Sequence, residues 1–456
     1  MKIIIVGLGQ TGNLLISSLA NEDYDVVVID KDRDLVDGIT DKFNVNGVVG
    51  SGASRETLLA AGADTADAIV ALTHIDEINL LSCMQAKALG TRYAAARILM
   101  PDFVREEAEL KKEYNIDFFM KPRPDVAEEI RRNLGMPGYT KLEGFWGDEI
   151  CLIGMNLLKD SPLNGRSLID IKQSMKLDIL IITVLRDGKV RIPDGHFVLQ
   201  EKDEIHIVVS PKDLAASLEQ LGIRRSRAKK IVIVGGSNIC NYLLTLLEKD
   251  RCDITILEQN ASRCRELMQQ YPGIEIVYAG GDETLEALEE ENVSGADMLI
   301  SLTDNDEINL VTAMYAWSCA IPSIITRVDK PEHVKLLHKV NIDITVSPAE
   351  SSTLKALRFL RGCEVMGADM EIGRFFPLAD SQAEIMEIPA TEDFRCLEIP
   401  FRDPAFRLKK EVLITAIIRE GELIIPSGNT SIRTGDRVIL TSSRKNRIRR
   451  LNEILA

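Results

Sequence analysis

The strongest constraint on this chain is that its sequence is written twice. Lys2-Ile-Ile-Ile-Val-Gly7 returns as Lys230-Ile-Val-Ile-Val-Gly235, and Val26-Val-Val-Ile-Asp30 returns as Ile254-Thr-Ile-Leu-Glu258. Ala71-Leu-Thr-His-Ile-Asp-Glu-Ile-Asn-Leu80 returns as Ser301-Leu-Thr-Asp-Asn-Asp-Glu-Ile-Asn-Leu310, and Arg97 as Arg327. Self-similarity at one offset means one architecture copied. The stretches that follow match as well. Ile179 to Gly188, Ile192-Pro193 and Lys202-Asp203 reappear as Val412 to Gly421, Ile425-Pro426 and Gly435-Asp436. The 456 residues therefore alternate large and small units: 1–135, 139–222, a linker at 223–229, 230–362 and 367–456.

Hydrophobic period assigns the fold class. In the large unit, short continuous apolar runs at 3–6, 26–29, 45–49, 68–72, 94–99 and 116–120 read as strands buried on both faces. Between them, 11–20, 33–43, 54–61, 77–89, 102–113 and 125–134 read as helices. Strand–helix alternation predicts an α/β fold with a doubly wound parallel, Rossmann-like sheet in each large unit. Each small unit reads as a small α+β module, with a hairpin turn at Asp187-Gly188.

Composition removes several function classes. A hydrophobic fraction of 45% and a charged fraction of 27% suit a water-soluble globular chain. The net charge of −15 opposes binding to a nucleic-acid backbone. No apolar run approaches the ~18–20 residues of a membrane span, and the N-terminus carries no secretory pattern. The eight cysteines form no C-x-x-C pair, and five histidines are too few for a His-rich metal site. Scattered reduced thiols fit the cytoplasm.

The chemistry concentrates at Gly7-Leu8-Gly9-Gln10-Thr11-Gly12, a G-x-G-x-x-G between a strand and a helix, with Asp30 ending the next strand. Gly7 makes the tight turn, Gly9 admits a pyrophosphate to the backbone, and Gly12 lets the helix pack on the strand. The helix N-terminus then offers free N–H donors. Asp30 accepts from ribose hydroxyls and disfavours a 2′-phosphate, so NAD(H) or an adenine nucleotide is expected rather than NADP(H). Thr73 and His74 end the fourth strand beside the switch point of the sheet. Thr73 either contacts ligand or caps the helix that Glu77 and Asn79 begin. Arg97, ending the fifth strand, pairs either with phosphate or with an acidic group across a subunit contact.

The second copy is degenerate. Its turn is Gly235-Gly236-Ser237-Asn238-Ile239-Cys240, with Ser237 where Gly9 stands and Cys240 where Gly12 stands. Glu258 still supplies an acid for ribose. This site either binds nucleotide more weakly or is kept for assembly. No catalytic constellation accompanies either copy: there is no Tyr-x-x-x-Lys, nucleophile elbow or zinc spacing. A nucleotide site without partner chemistry reads as a sensor and not an enzyme. The alternatives are an NAD-dependent oxidoreductase and, opposed by charge, an NADH-sensing nucleic-acid binder.

These residues resemble the RCK (KTN) domains. The resemblance rests on the repeat order, Gly7 to Gly12, Asp30, Thr73…Asp76-Glu77-x-Asn79, Ala96-Arg97 and Gly188…Pro193. The doubled arrangement is similar to the cytosolic nucleotide-binding subunits of Trk potassium uptake systems. The resemblance implies a cytoplasmic protein peripheral to the inner face of the cell membrane. It implies a partner, the membrane potassium-translocating subunit of TrkH/TrkG type, and a homo-tetramer forming a ring of eight RCK units. It implies gating by NAD(H), with ATP or ADP as the second candidate. Gly7 to Thr11, Asp30, Thr73, His74 and Arg97 then fall on the first nucleotide site, and Gly235 to Ile239, Glu258 and Arg327 on the second. Gly281-Asp282 keeps a pair that many RCK units have and that Gly50-Ser51 lacks. The helix near 124–134 with Gly135 to Gly138 resembles a crossover helix that swaps between paired units. Two basic stretches, 224–230 and 444–450, are either solvated faces or contacts for anionic lipid heads.

Overall fold

The computed structural model describes residues 1–20, 24–137, 140–145, 150–174, 179–225, 228–280, 284–290, 293–340, 342, 344–366, 375–378, 382–446 and 448–456. Gly138, Gly281-Asp282 and residue 367 lie outside them.

The first sheet contains β1 (Lys2–Val6), β2 (Asp25–Asp30), β3 (Asn46–Val49), β4 (Ala68–Ala71), β5 (Tyr93–Arg97) and β6 (Phe118–Met120). It is all parallel, in the order β3-β2-β1-β4-β5-β6. The order reverses between β1 and β4, which puts a crevice at their carboxyl ends. Ile3, Ile5, Val28 and Val70 face one apolar layer, and Ile4, Val6, Ile29 and Ile69 the other. Burial on both faces is why these strands read as unbroken apolar runs. β3 departs from that expectation because it is an edge strand and largely exposed. The helix expected at 102–113 is two helices, Pro101–Arg105 and Glu107–Tyr114, separated where Glu106 leaves helical geometry (φ −91°, ψ 16°).

The first small sheet is antiparallel: β7 (Thr140–Phe145), β8 (Ile150–Asn156), β9 (Ile179–Arg186), β10 (Lys189–Arg191) and β11 (Glu204–Val209), ordered β10-β9-β11-β8-β7. Asp187 (φ 52°) and Gly188 (φ 72°) make the β9–β10 turn in the left-handed geometry that a two-residue hairpin requires. The second parallel sheet repeats the first with β12 (Lys230–Val234), β13 (Asp253–Glu258), β14 (Glu275–Tyr278), β15 (Met298–Ser301), β16 (Ser323–Arg327) and β17 (Thr345–Val346), in the order β14-β13-β12-β15-β16-β17. The second small sheet has β18 (Phe375–Leu378), β19 (Ala383–Pro389), β20 (Val412–Arg419), β21 (Glu422–Ile424) and β22 (Arg437–Ser443), ordered β18-β19-β22-β20-β21.

The repeated tail motifs are structural. Arg186 donates through Nε and Nη2 to the buried Asp203 carboxylate at 2.7 Å each, and Arg419 does the same to Asp436. Such two-pronged pairs lock the long hairpin strand onto the turn that precedes the last strand.

The chain divides into two compact units. One joins Met1–Val126 to the helix Pro348–Met366, and the other holds Ala127–Val346 and everything from Phe375. That helix follows the second parallel sheet in sequence yet packs on the first. Ala356, Leu357, Phe359 and Leu360 share a core with Ile3, Leu15 and Leu19, and Phe359 stacks on Phe118 at 5.7 Å. Lys355 pairs with Asp125 at 2.6 Å. Among the described residues no helix is long and apolar enough to cross a membrane.

One buried group makes the small sheet sensitive to acid. His206 on β11 faces Thr183 of β9, with Nδ1 2.9 Å from Thr183 Oγ1. Burial, with help from Lys141, pushes the His206 pKa down to about 4. The unfolded chain binds this proton near pH 6.5 and the folded chain does not, so stability falls as pH drops from about 6.5 to 4, by roughly 3 kcal/mol. The other repeat carries the apolar pair Ala416 and Ile439 at the same register. A Thr183→Ala/His206→Ile chain is therefore expected to stay folded and to lose most of this acid slope in urea unfolding across pH 4–7. An unchanged slope would place the acid sensitivity elsewhere.

Candidate nucleotide site

The first glycine loop is shaped by three close approaches. Gly7 adopts φ +95°, and a Cβ there would stand 2.9 Å from the Thr73 nitrogen. A Cβ on Gly12 would stand 2.0 Å from the Gly7 carbonyl oxygen. At Gly9 the same atom would meet only His74 Nε2, at 3.5 Å, so the loop backbone is open on that side. Gly9 caps the helix Gln10–Leu19 without a side-chain cap, so no hydroxyl or carboxylate of the cap residue closes the helix N-terminus. Leu8, Thr11 and Gly12 are buried, whereas Gly9 and Gln10 face solvent.

Asp30 holds the loop as well as bordering it. Its Oδ2 accepts from the Leu8 N–H at 2.7 Å and its Oδ1 from the Asp32 N–H at 3.0 Å. Each oxygen keeps a second lone pair for a ribose hydroxyl.

Thr73 is committed within the protein. Its N–H and its hydroxyl both donate to Asn79 Oδ1, at 2.8 and 2.7 Å, and the hydroxyl oxygen accepts from the Ile75 N–H at 3.3 Å. Asn79 Nδ2 then donates to the carbonyls of Thr73 and Arg97, both at 2.9 Å. This fully buried amide clips the end of β4 to the end of β5. Asp76 completes the clip by accepting from the Leu99 and Met100 N–H groups at 2.7 Å each. Sequence reading placed Glu77 and Asn79 at a helix start but missed the clip, whose only signal was the exact recurrence of Asp76, Glu77 and Asn79 as Asp306, Glu307 and Asn309.

Arg97 is 7% exposed. Its Nη1 donates to Thr11 Oγ1 and its Nη2 to the Thr73 carbonyl, both at 2.9 Å, while Nε has no partner among the described residues. No carboxylate lies in ion-pair range of it among the described residues. Burial lowers its pKa to about 10, against the pull of Asp76. A buried cation with no ion-pair partner among the described residues sits beside a helix N-terminus, an arrangement that favours an anion twice over. His74 stands beside it, Nδ1 at 3.5 Å from Nη2, and is held below its ordinary pKa by burial and by Arg97, so it is neutral at pH 7. Thr353, on the helix supplied from later in the chain, donates to the Thr11 carbonyl at 3.4 Å. Nothing in the sequence placed Thr353 here, because its approach depends on that helix returning to the first sheet.

The second copy preserves the clip and changes the charge. Gly235 has φ +99°, Glu258 accepts from the N–H groups of Gly236 and Asn260 at 2.7 Å each, and Asn309 bridges Thr303 to Arg327. Ser237 caps the helix that Asn238 begins, and Ile239 and Cys240 are buried. Arg327, in contrast to Arg97, pairs with Asp304 and with Asp329 (3.2 Å). Burial pulls its pKa down, but Asp329 and Asp304 outweigh that and raise it. Arg263 also enters, donating to the Gly236 carbonyl and to Asn241 Oδ1 at 2.7 Å each. The first site therefore presents a guanidinium with no ion-pair partner among the described residues, and the second has its own paired from within.

A family model described as the TrkA-N domain matches residues 3–117 and 231–348, and one described as the TrkA-C domain matches 152–222 and 385–456. The Trk system potassium uptake protein TrkA of Halomonas elongata is 28% identical over 453 residues, covering 98% of this chain and 97% of that one. A TrkA homolog of Archaeoglobus fulgidus is 28% identical over 455 residues, covering all of both. Among solved structures, the GsuK channel bound to NAD superposes with a TM-score of 0.61 at 18% identity, covering 97% of this chain and 77% of that one. The GsuK RCK domain gives 0.62 at 18% identity, with 97% and 92% covered.

Proposed function

The chain belongs to the family of TrkA-N and TrkA-C domain proteins, and we propose that it is the nucleotide-sensing regulatory subunit of a Trk-type potassium uptake system. The observation that carries this reading is the unpaired, buried Arg97 beneath an open glycine loop. Relatives of nearly the same length are named potassium uptake proteins, and a structural neighbour is a channel bound to NAD. The ligand is NAD(H), with ATP or ADP the alternative. Gly7 to Gly12 receive the phosphates, Asp30 the ribose, and Arg97 with His74 the charge at the switch point. The second site, Gly235 to Ile239 with Glu258, binds more weakly, because Asp304 and Asp329 already satisfy Arg327.

The protein works in the cytoplasm, against the inner face of the membrane, on a potassium-translocating subunit. A ligand shifts such an assembly only by binding one of its shapes better than the other. The assembly is a tetramer presenting eight domain pairs in a ring. Val311, Met314 and Trp317, all exposed along the helix Asp306–Ser318, support a contact between copies.

Asp30→Ala and Arg97→Gln are each expected to weaken nucleotide binding roughly 10- to 100-fold, the worth of a charge-assisted hydrogen bond. Glu258→Ala should leave the tight site untouched. Titration calorimetry on the full chain, paired with potassium flux through co-purified membranes with NAD, NADH, ATP and ADP, tests both halves. Flux that ignores all four nucleotides in the unaltered protein would overturn the sensing role.

A further inference from the structure

A cleft of about 970 Å³ opens within the second unit, and no residue of either glycine loop lines it. Its walls are the end of the helix Pro122–Arg132, the strands β7 and β8, Arg225 and Ala228, and the loop at 249–252. Its volume is that of a small-ligand site. Its charge runs against the rest of the chain, whose net charge is −15.

Arg131 is matched by Asp250 at 3.9 Å, and Glu128 adds one more carboxylate. Arg225, Lys249 and Arg251 also line the cleft and enter no ion pair among the described residues. Arg225 is held in position, not waving in solvent. Its Nε donates to the Leu134 carbonyl at 2.9 Å and its Nη2 to the Arg132 carbonyl at 3.4 Å. Burial lowers its pKa with no carboxylate to offset the effect. The guanidinium is thus pre-organised on a helix end with its charge unspent.

We propose that this cleft binds a small anion carrying two or more phosphate groups. Three unpaired cations around one cavity exceed what a single carboxylate can satisfy. Planar guanidinium groups suit phosphate oxygens, and a lysine serves as a point charge beside them. The concavity favours a compact free ligand over a membrane surface. This gives part of the basic stretch at 224–230 a role separate from the nucleotide loops.

The test is equilibrium dialysis of the full chain with inorganic triphosphate. Binding should tighten as salt falls. Lys249→Gln and Arg251→Gln, both at unpaired side chains, should each weaken it roughly tenfold, one charge-assisted contact apiece. Arg225→Gln should weaken it at least as much, and if its loss of two carbonyl contacts impairs folding, the other two variants decide. A chain with Gly9→Asp and Ser237→Asp, which obstructs both glycine loops, should bind triphosphate as before. Triphosphate binding that ignores the cleft variants, or that disappears with the loop variants, overturns the assignment. So does co-sedimentation with anionic phospholipid vesicles, lost in the cleft variants, from a chain that binds no free triphosphate.

Discussion

An Asn79→Ala chain is expected to lose about 3–5 kcal/mol of stability, because at least two buried backbone groups lose their partners at ~1–3 kcal/mol each. The Thr73 N–H and the Arg97 carbonyl are both left without the amide that joins them. Thr73 keeps Arg97 Nη2 on its carbonyl, so the loss is not total. The ends of β4 and β5 would then separate, and Arg97 would lose its register beneath the glycine loop. Urea unfolding should report the stability loss, and nucleotide titration a parallel weakening. Asn309→Ala is the matched control. It removes the same bridge between Thr303 and Arg327 and should cost similar stability, yet leave the first site's affinity intact. A mild effect of Asn79→Ala, below about 1 kcal/mol, would mean water replaces the amide.

That clip shows where sequence reading reached and where it stopped. The parallel sheets were legible because strands such as Ile3 to Val6 are buried on both faces and carry no polar interruption. The hairpin at Asp187-Gly188 was legible because only a few residues tolerate positive φ at both turn positions. β3 was over-read, since an apolar pair at a sheet edge resembles one in its centre. The difference between Arg97 and Arg327 was half visible. The change from His74 to Asp304 is in the alignment of the repeats, but only the fold shows Asp304 and Asp329 closing on the same guanidinium. Arg263 in the second loop and Thr353 in the first were hidden for one reason. Each reaches its site from an element distant in sequence, and the return of Pro348–Met366 to the first sheet follows from no local pattern.

Gly9→Ala and Gly12→Ala should both lose nucleotide, but only the second should lose stability, and the contrast tests the loop as a phosphate seat. At Gly12 the new Cβ would lie 2.0 Å from the Gly7 oxygen, a backbone atom that cannot swing aside. Overpacking against a rigid neighbour costs about 3 kcal/mol or more, so Gly12→Ala should destabilise the first unit and abolish its nucleotide binding together. At Gly9 the backbone has φ −61°, which alanine adopts without strain, and the Cβ would meet only the His74 ring at 3.5 Å. Gly9→Ala should therefore unfold at the same urea concentration as the parent. Its methyl would nonetheless stand on the open side of the loop, where a pyrophosphate must approach the helix N-terminus, and affinity should fall at least roughly tenfold. The second repeat carries Ser237 and Cys240 at these two positions, the first capping and the second inside the helix Asn238–Leu247. If Gly9→Ala kept both its stability and its full nucleotide affinity, the phosphates would have to lie away from this loop, and the sensing site would have to be sought elsewhere in the unit.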